Sequence, residues 1–180
     1  MHTAPTQTFP RKQKHVLSGI TPRLPFPAPP ASMSPIETLL PVETTTPEET
    51  KAFGAALAAR LAPGDVVALY GDLGAGKTHL VKGVAAAFGV PEQAVVSPTF
   101  TIVNEYAGAR AGRDVALYHF DAYRIRHVDE FFELGFEDYF YGDGICLVEW
   151  PERVEALLPA GALRLRLSHR GESRRSIEAC

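Results

Sequence analysis

Apolar side chains recur along the chain with two different spacings, and these sort it into helices and strands. Phe53, Leu57 and Leu61 stand four residues apart, which lines one face of a helix. Thr46-Pro47-Glu48-Glu49 supplies its start: Thr46 caps, Pro47 occupies the first helical position where no N–H is needed, and Glu49 is the capping-box acid. This predicts a helix over 47–61 that stops before Pro63-Gly64-Asp65. Residues 66–70, Val-Val-Ala-Leu-Tyr, form an unbroken apolar run of strand length, as a strand covered on both faces requires. A helix follows over 79–88 and ends at Gly89. Residues 99–106 and 115–120 read as strands joined by the polar, glycine-containing turn 107–114, a hairpin. A short helix is expected over 128–134 and another buried strand over 145–148. Residues 163–167, Leu-Arg-Leu-Arg-Leu, alternate like a strand with one wet face. Regular structure is expected from about Thr46 onward, with no internal repeat. The order of elements predicts an α/β fold with a mixed, mainly parallel central sheet and a β-hairpin.

Charge divides the chain in two. Its 18 basic residues face 21 acidic ones, yet Arg11, Lys12, Lys14 and Arg23 all precede the first acid, Glu37. Prolines 22, 25, 27, 29 and 30 punctuate the same head, each removing a backbone donor and restraining its predecessor. Residues 1–35 are therefore expected to be a disordered, proline-rich basic extension, with Met33 as an alternative start, and residues 36–180 one folded domain. The head has no apolar stretch suited to a secretory signal. The remaining residues carry 14 basic against 21 acidic side chains, so direct nucleic-acid binding is not the expectation. Cys146 and Cys180 are too few for a disulfide framework and lack metal-ligand spacing, which points to a reducing, cytoplasmic setting and away from zinc. Every apolar run is too short to span a bilayer, so no membrane association is expected.

The chemistry is concentrated where the strand 66–70 meets the next helix. Gly71-Asp72-Leu73-Gly74-Ala75-Gly76-Lys77-Thr78 satisfies G-x-x-x-x-G-K-[ST]. In such a loop the backbone N–H groups curl around phosphates and the following helix presents its positive end to them. Gly71, Asp72, Gly74, Ala75 and Gly76 are thus expected to cradle a nucleoside triphosphate, with His79 next in line. Lys77 reaches the β- and γ-phosphates as a point charge, and the Thr78 hydroxyl is a hard oxygen ligand suited to Mg²⁺. Strand, loop and helix in this order make the expected architecture a three-layer fold of P-loop NTPase type.

A phosphate site of this kind needs a carboxylate for the metal at the end of a neighbouring buried strand. Asp121 follows the strand 115–120 and Glu149 follows 145–148. One is expected to reach Mg²⁺, directly or through water, and the other to orient the attacking water. The residues alone leave that division open.

Four motifs in order resemble the bacterial TsaE (YjeE) family, the ATPase component of tRNA threonylcarbamoyladenosine biosynthesis. They are Leu69 to Thr78, then Ser97-Pro98-Thr99-Phe100-Thr101, then Tyr118-His119-Phe120-Asp121 with Tyr123-Arg124, and Cys146-Leu147-Val148-Glu149-Trp150-Pro151. The resemblance implies an ATP-hydrolysing subunit that works with TsaD and TsaB. The complex modifies the adenosine next to the anticodon; this subunit does not transfer the threonylcarbamoyl group and meets tRNA only through its partners. Carried over residue by residue, Lys77 and the loop hold phosphates, Thr78 and Glu149 serve the metal, and Asp121 is the Walker-B-like carboxylate. Ser97 and Thr99 resemble the family's switch segment, and Thr46-Pro47 a segment near the nucleotide. This chain has His79 where the family often has a second Thr, and Gly171-Glu172 where a Gly-Arg pair is common, with Arg170, Arg174 and Arg175 nearby.

Other residues have plainer readings. His119 is expected to be a hydrogen-bonded structural histidine, Trp150 a packing residue and Cys146 an inert buried thiol. Phe131-Phe132, Phe136 and Tyr139-Phe140-Tyr141 fit either core packing or a partner-docking surface. Two other functions share the P-loop: a small-molecule kinase, for which no lid or acceptor pocket is evident, and a non-hydrolytic nucleotide-gated interaction module. A GTPase is disfavoured by the absence of an Asn-Lys-x-Asp motif.

Overall fold

The computed structural model describes residues 36–133, 135–171 and 173–180. The expected basic extension 1–35, including Met33, lies outside the described residues, as do Leu134 and Glu172. Seven strands form one sheet: β1 (Val42–Thr44), β2 (Val66–Tyr70), β3 (Val103–Arg110), β4 (Arg113–Asp121), β5 (Ile145–Glu149), β6 (Leu163–His169) and β7 (Arg175–Ala179). Their order is β1-β7-β6-β2-β5-β4-β3. The central four, β6, β2, β5 and β4, run parallel, while β3, β7 and β1 join by antiparallel pairings at the flanks. The sheet is thus mixed with a parallel centre, as expected, and β4 with β3 makes the hairpin.

Helices cover both faces. On one side lie α1 (Pro47–Ala58) and α2 (Lys77–Ala87), whose Leu57, Leu80 and Val84 pack on Val67, Leu69, Leu117, Leu147 and Leu165. On the other lie α3 (Val128–Glu133), α4 (Glu137–Phe140) and two 3₁₀ turns over Ala68, Phe120, Cys146 and Val148. Alternate β5 residues face opposite cores, so the whole strand is buried and reads as continuous apolar sequence. Each Leu or Val so buried is worth roughly 1.5–3 kcal/mol. Phe131 and Phe140, left open between core and docking surface, are core: they ring Phe120 at centroid distances of 5.6 and 5.4 Å. Tyr141 is exposed. No helix among the described residues is long and apolar enough to cross a membrane.

The start of α1 follows the capping expectation with one change. Thr46 Oγ1 accepts the Glu49 N–H at 3.1 Å, while Glu49 reaches back past Thr46 to the Thr45 N–H and hydroxyl. These bonds hold Glu49 below its usual carboxylate range. The helix ends at Ala58, short of the expected 61.

Two boundaries near the hairpin are corrected. The strand expected from Thr99 starts at Val103, because residues 98–102 form a turn: the Thr101 and Ile102 N–H groups both bond the Pro98 carbonyl, and Ile102 has φ 68°. The expected eight-residue turn contracts to Ala111-Gly112, both at positive φ, the geometry of a tight hairpin. Residues 107–110 read as turn because Ala107, Gly108 and Ala109 are small and the polar stretch from Arg110 to Asp114 follows. They are strand because Gly108 must be small: a β-carbon there would lie 2.8 Å from that of Phe88, and the Ala109 N–H bonds the Phe88 carbonyl at 2.7 Å. Strands β1 and β7 were not anticipated.

Candidate active site

Because β2, β5 and β4 are parallel neighbours, their carboxyl ends lie on one edge of the sheet, where ligands bind in open α/β folds. Gly71 follows β2, Glu149 ends β5 and Asp121 ends β4, with Asp121 and Glu149 in direct register. Residues two apart on a strand share a face, so His119 and Asp121 lie on the same side of β4. Three polar side chains, His119, Asp121 and Glu149, thus stand buried at the mouth of the α1/α2 core. Thirteen residues enclose a cleft of about 370 Å³ there, and they include Gly74, Ala75, Gly76, Lys77, Thr78, His79, Ser97, Thr99, Asp121 and Glu149.

The loop takes its shape from glycine. Gly71 has φ 135°, and a β-carbon there would sit 2.2 Å from the Leu167 carbonyl oxygen, so the position admits no side chain in this conformation. Gly76 caps α2 from the left-handed region without a side-chain bond, leaving the first-turn N–H groups open toward the cleft. No acidic residue lies in the first turn of α2, so nothing there competes with an anion for the positive end of the helix.

Lys77 is buried and folds back over the loop, its Nζ donating to the carbonyls of Gly71 at 2.5 Å and Asp72 at 3.0 Å. It also lies 4.0 Å from the centre of the Trp150 ring, a cation–π contact. Burial lowers its affinity for the proton, against the raising influence of Glu149, Glu152, Asp121 and Asp72. Trp150 occupies the left-handed region at φ 57°, ψ 47°, turning the chain sharply after Glu149. The expectation of a plain packing role is too narrow: Trp150 walls the cleft, and the Tyr123 ring packs against it, tilted by 53° at a centroid distance of 4.9 Å.

Glu149 and Asp121 have separate partners. The Thr78 hydroxyl donates to Glu149 Oε1 at 2.8 Å, and His119 Nε2 meets the same oxygen at 2.8 Å. Asp121 Oδ2 accepts from Ser97 at 2.8 Å and Thr99 at 2.9 Å, while Oδ1 accepts the Tyr123 N–H at 3.0 Å. Asp121 therefore anchors the segment 97–102, and Glu149 is joined to the P-loop helix. His119 Nδ1 is buried with no partner among the described residues, an arrangement that costs on the order of 1–3 kcal/mol.

The donor set suits Mg²⁺. Thr78 and Glu149 bring hard oxygens together beside the phosphate loop, and Mg²⁺ is commonly held by one or two protein oxygens plus phosphate and water. Among the described residues no three His, Cys, Asp or Glu side chains cluster as a protein-only metal site.

His79 is exposed on the cleft side of α2, with desolvation and the Lys82 and Lys51 charges lowering its pKa. It also borders a second cleft of about 150 Å³, shared with Thr46, Pro47, Thr50, Ser173 and Arg175. That places the helix start at Thr46-Pro47 beside the loop, and Arg175 with it, which chain-local spacing had no means of showing. Asp72 is exposed at the loop tip.

The chain is similar to known proteins over most of its length. The family model described as "Threonylcarbamoyl adenosine biosynthesis protein TsaE" matches residues 44–177. A tRNA threonylcarbamoyladenosine biosynthesis protein TsaE from Bacillus subtilis is 46% identical over 128 residues, 71% of this chain and 77% of the relative. The protein of the same name from Treponema pallidum is 38% identical, over 71% of this chain and 90% of the relative. Among solved structures, Bacillus subtilis YdiB superposes with a TM-score of 0.61 at 42% identity, covering 77% of this chain and 82% of that one. On the breadth of the family match and the level of identity to these relatives, the chain belongs to the TsaE family.

Proposed function

We propose that this protein binds Mg²⁺·ATP and hydrolyses it as the nucleotide-driven subunit of tRNA threonylcarbamoyladenosine biosynthesis, working with TsaD and TsaB in the cytoplasm. The observation that carries the reading is the convergence on one sheet edge of a P-loop, a helix N-terminus free of acids, and the Thr78–Glu149 oxygen pair. The relatives' names supply the pathway. The acidic balance of residues 37–180 supports contact with tRNA through partners rather than directly.

The contacts support the following roles. The loop N–H groups and the α2 N-terminus bind the phosphates, and Lys77 exchanges the Gly71 and Asp72 carbonyls for phosphate oxygens. Thr78 and Glu149 would hold the metal, and bound there it would supply positive charge beside the transferred phosphoryl group. Asp121 holds Ser97 and Thr99 at the cleft, where their hydroxyls respond to a γ-phosphate by leaving or keeping the carboxylate. Phosphoryl transfer to water is mainly positioning and electrostatics, so a partner that completes the water-side wall would raise the rate without new chemistry from this chain.

Binding is tested through Trp150, the single tryptophan. Withdrawal of the Lys77 ammonium from its ring should change its emission on addition of ATP, and the change should vanish in Lys77→Ala. Unchanged emission, together with no heat of ATP binding by calorimetry, would overturn the nucleotide reading.

A further inference from the structure

We propose that His119 is a positioning residue for the metal site: its Nε2–H fixes the Glu149 carboxylate so that one oxygen is committed to the protein and the other is presented to the cation. The inference rests on the reading that this cleft binds Mg²⁺·nucleotide, and it gives His119 a role there beyond the structural one expected from the sequence.

The geometry is specific. His119 and Glu149 sit on adjacent strands, and both are buried, the histidine completely. Glu149 Oε1 receives Thr78 Oγ1 and His119 Nε2, each at 2.8 Å, while Oε2 takes part in neither bond. A carboxylate oxygen accepts only, so Nε2 must carry a hydrogen. Glutamate has three side-chain torsions, and one hydroxyl does not fix them; a second donor from a rigid central strand does. Orientation of a metal-binding carboxylate by an outer hydrogen bond is worth 10- to 100-fold in metal affinity or activity where it has been measured.

A packing role does not account for the residue. Besides Asp121 and Glu149, the surrounding β4 and β5 positions on that face are Leu117, Ile145 and Leu147, all buried, and a leucine at 119 would fill space against them without leaving Nδ1 buried and unpartnered. Buried polar groups are seldom left unsatisfied. Of the two ring nitrogens, Nε2 is the one with a hydrogen-bond partner among the described residues, and that partner is Glu149.

The test measures ADP affinity by calorimetry with Mg²⁺ and with EDTA, in the wild-type chain, His119→Leu, His119→Asn and His119→Gln. Glutamine extends an N–H to about the place of Nε2, whereas asparagine reaches only the place of Nδ1. Affinity in EDTA should agree within about two-fold across all four. The gain conferred by Mg²⁺ should fall about ten-fold or more in the Leu and Asn variants and return to within about three-fold of wild type in the Gln variant. Binding of Mn²⁺, counted by electron paramagnetic resonance, should follow the same order. Should the Leu variant not fold, the Asn and Gln pair carries the comparison alone. A wild-type Mg²⁺ gain that persists undiminished in Leu or Asn overturns the role of His119 while leaving the metal reading intact. A wild-type chain with no Mg²⁺ gain overturns the metal reading and the role of His119 with it.

Discussion

The P-loop helix is held in place by two glycines that touch backbone, and enlarging one should be costly. Gly54 lies in α1 and Gly83 in α2, facing each other across the helix pair. A β-carbon at Gly83 would stand 2.0 Å from the Lys51 carbonyl oxygen and 2.7 Å from its carbon; at Gly54 it would stand 2.3 Å from the Leu80 oxygen. Ordinary contact begins at 3.4 Å, so Gly83→Ala requires the helices to part by about 1.4 Å, and no side-chain rotation relieves a clash with backbone. A gap of ~0.5–1 Å already forfeits a quarter to a half of each dispersion contact, here among Leu57, Leu80 and Val84. Overpacking costs ~1–3 kcal/mol, with the upper end apt for a backbone clash, and alanine's helix propensity returns about 1 kcal/mol. The net expectation is about 2 kcal/mol of destabilisation, or a melting temperature lower by roughly 4–8 °C. Urea unfolding followed by circular dichroism measures it. Gly161→Ala, with nothing within 4 Å of the new carbon, is the control and should change stability by less than about 0.5 kcal/mol. A Gly83→Ala protein as stable as wild type would refute the reasoning.

Further outcomes are expected from the same contacts. Asp121→Ala removes the acceptor of Ser97, Thr99 and the Tyr123 N–H, so amide hydrogen exchange should quicken at least ten-fold over residues 97–102 while β2 and β5 stay protected; unchanged exchange there would contradict the anchoring role. Thr78→Ala should weaken Mg²⁺·ADP binding by about ten-fold, with little change in EDTA, by the same calorimetry; an equal loss in EDTA would mean that the hydroxyl serves the phosphates and not the metal. Burial pushes the Cys146 thiol up to about 12. The folded state keeps a proton that the unfolded chain releases near 9, so the associated stability is complete below that pH and is lost as pH rises toward 12. The urea midpoint should therefore fall over that range less steeply in Cys146→Ala than in wild type. At neutral pH a thiol reagent should label Cys180, which is exposed, and spare Cys146 until unfolding.

What could be read from the sequence is what depends on neighbours in the chain. The P-loop is legible because a phosphate cradle needs glycine at fixed spacing after a strand, and the tight approach of Gly71 to Leu167 is the reason glycine is there. Asp121 and Glu149 are legible as acids closing apolar runs, although their separate partners appear only when β4, β5 and the 97–102 turn are brought together. Strands β1 and β7 were illegible because each is short and carries little apolar signal. They form by pairing from opposite ends of the chain, Val42 against Ile177. Gly54 and Gly83 look like poor helix residues until the other helix is present. The extent of the hairpin was misread for the same reason: Ala107, Gly108 and Ala109 have turn-like composition, and the Phe88 β-carbon and carbonyl that meet them lie in a different element. His119 carried one usable signal, its place two residues before Asp121 on one strand face, but its bond to Glu149 depends on the β4–β5 register.

The central claim is that the chain turns over ATP and that partners govern the rate. Its most direct test is phosphate release from Mg²⁺·ATP by the purified protein, alone and with the TsaB–TsaD pair, against Lys77→Ala as background. Slow release alone, strong stimulation by the pair and background rates throughout in Lys77→Ala are the expected results. Tight ATP binding with no phosphate released in any combination would contradict hydrolysis and leave a nucleotide-gated binding module in its place.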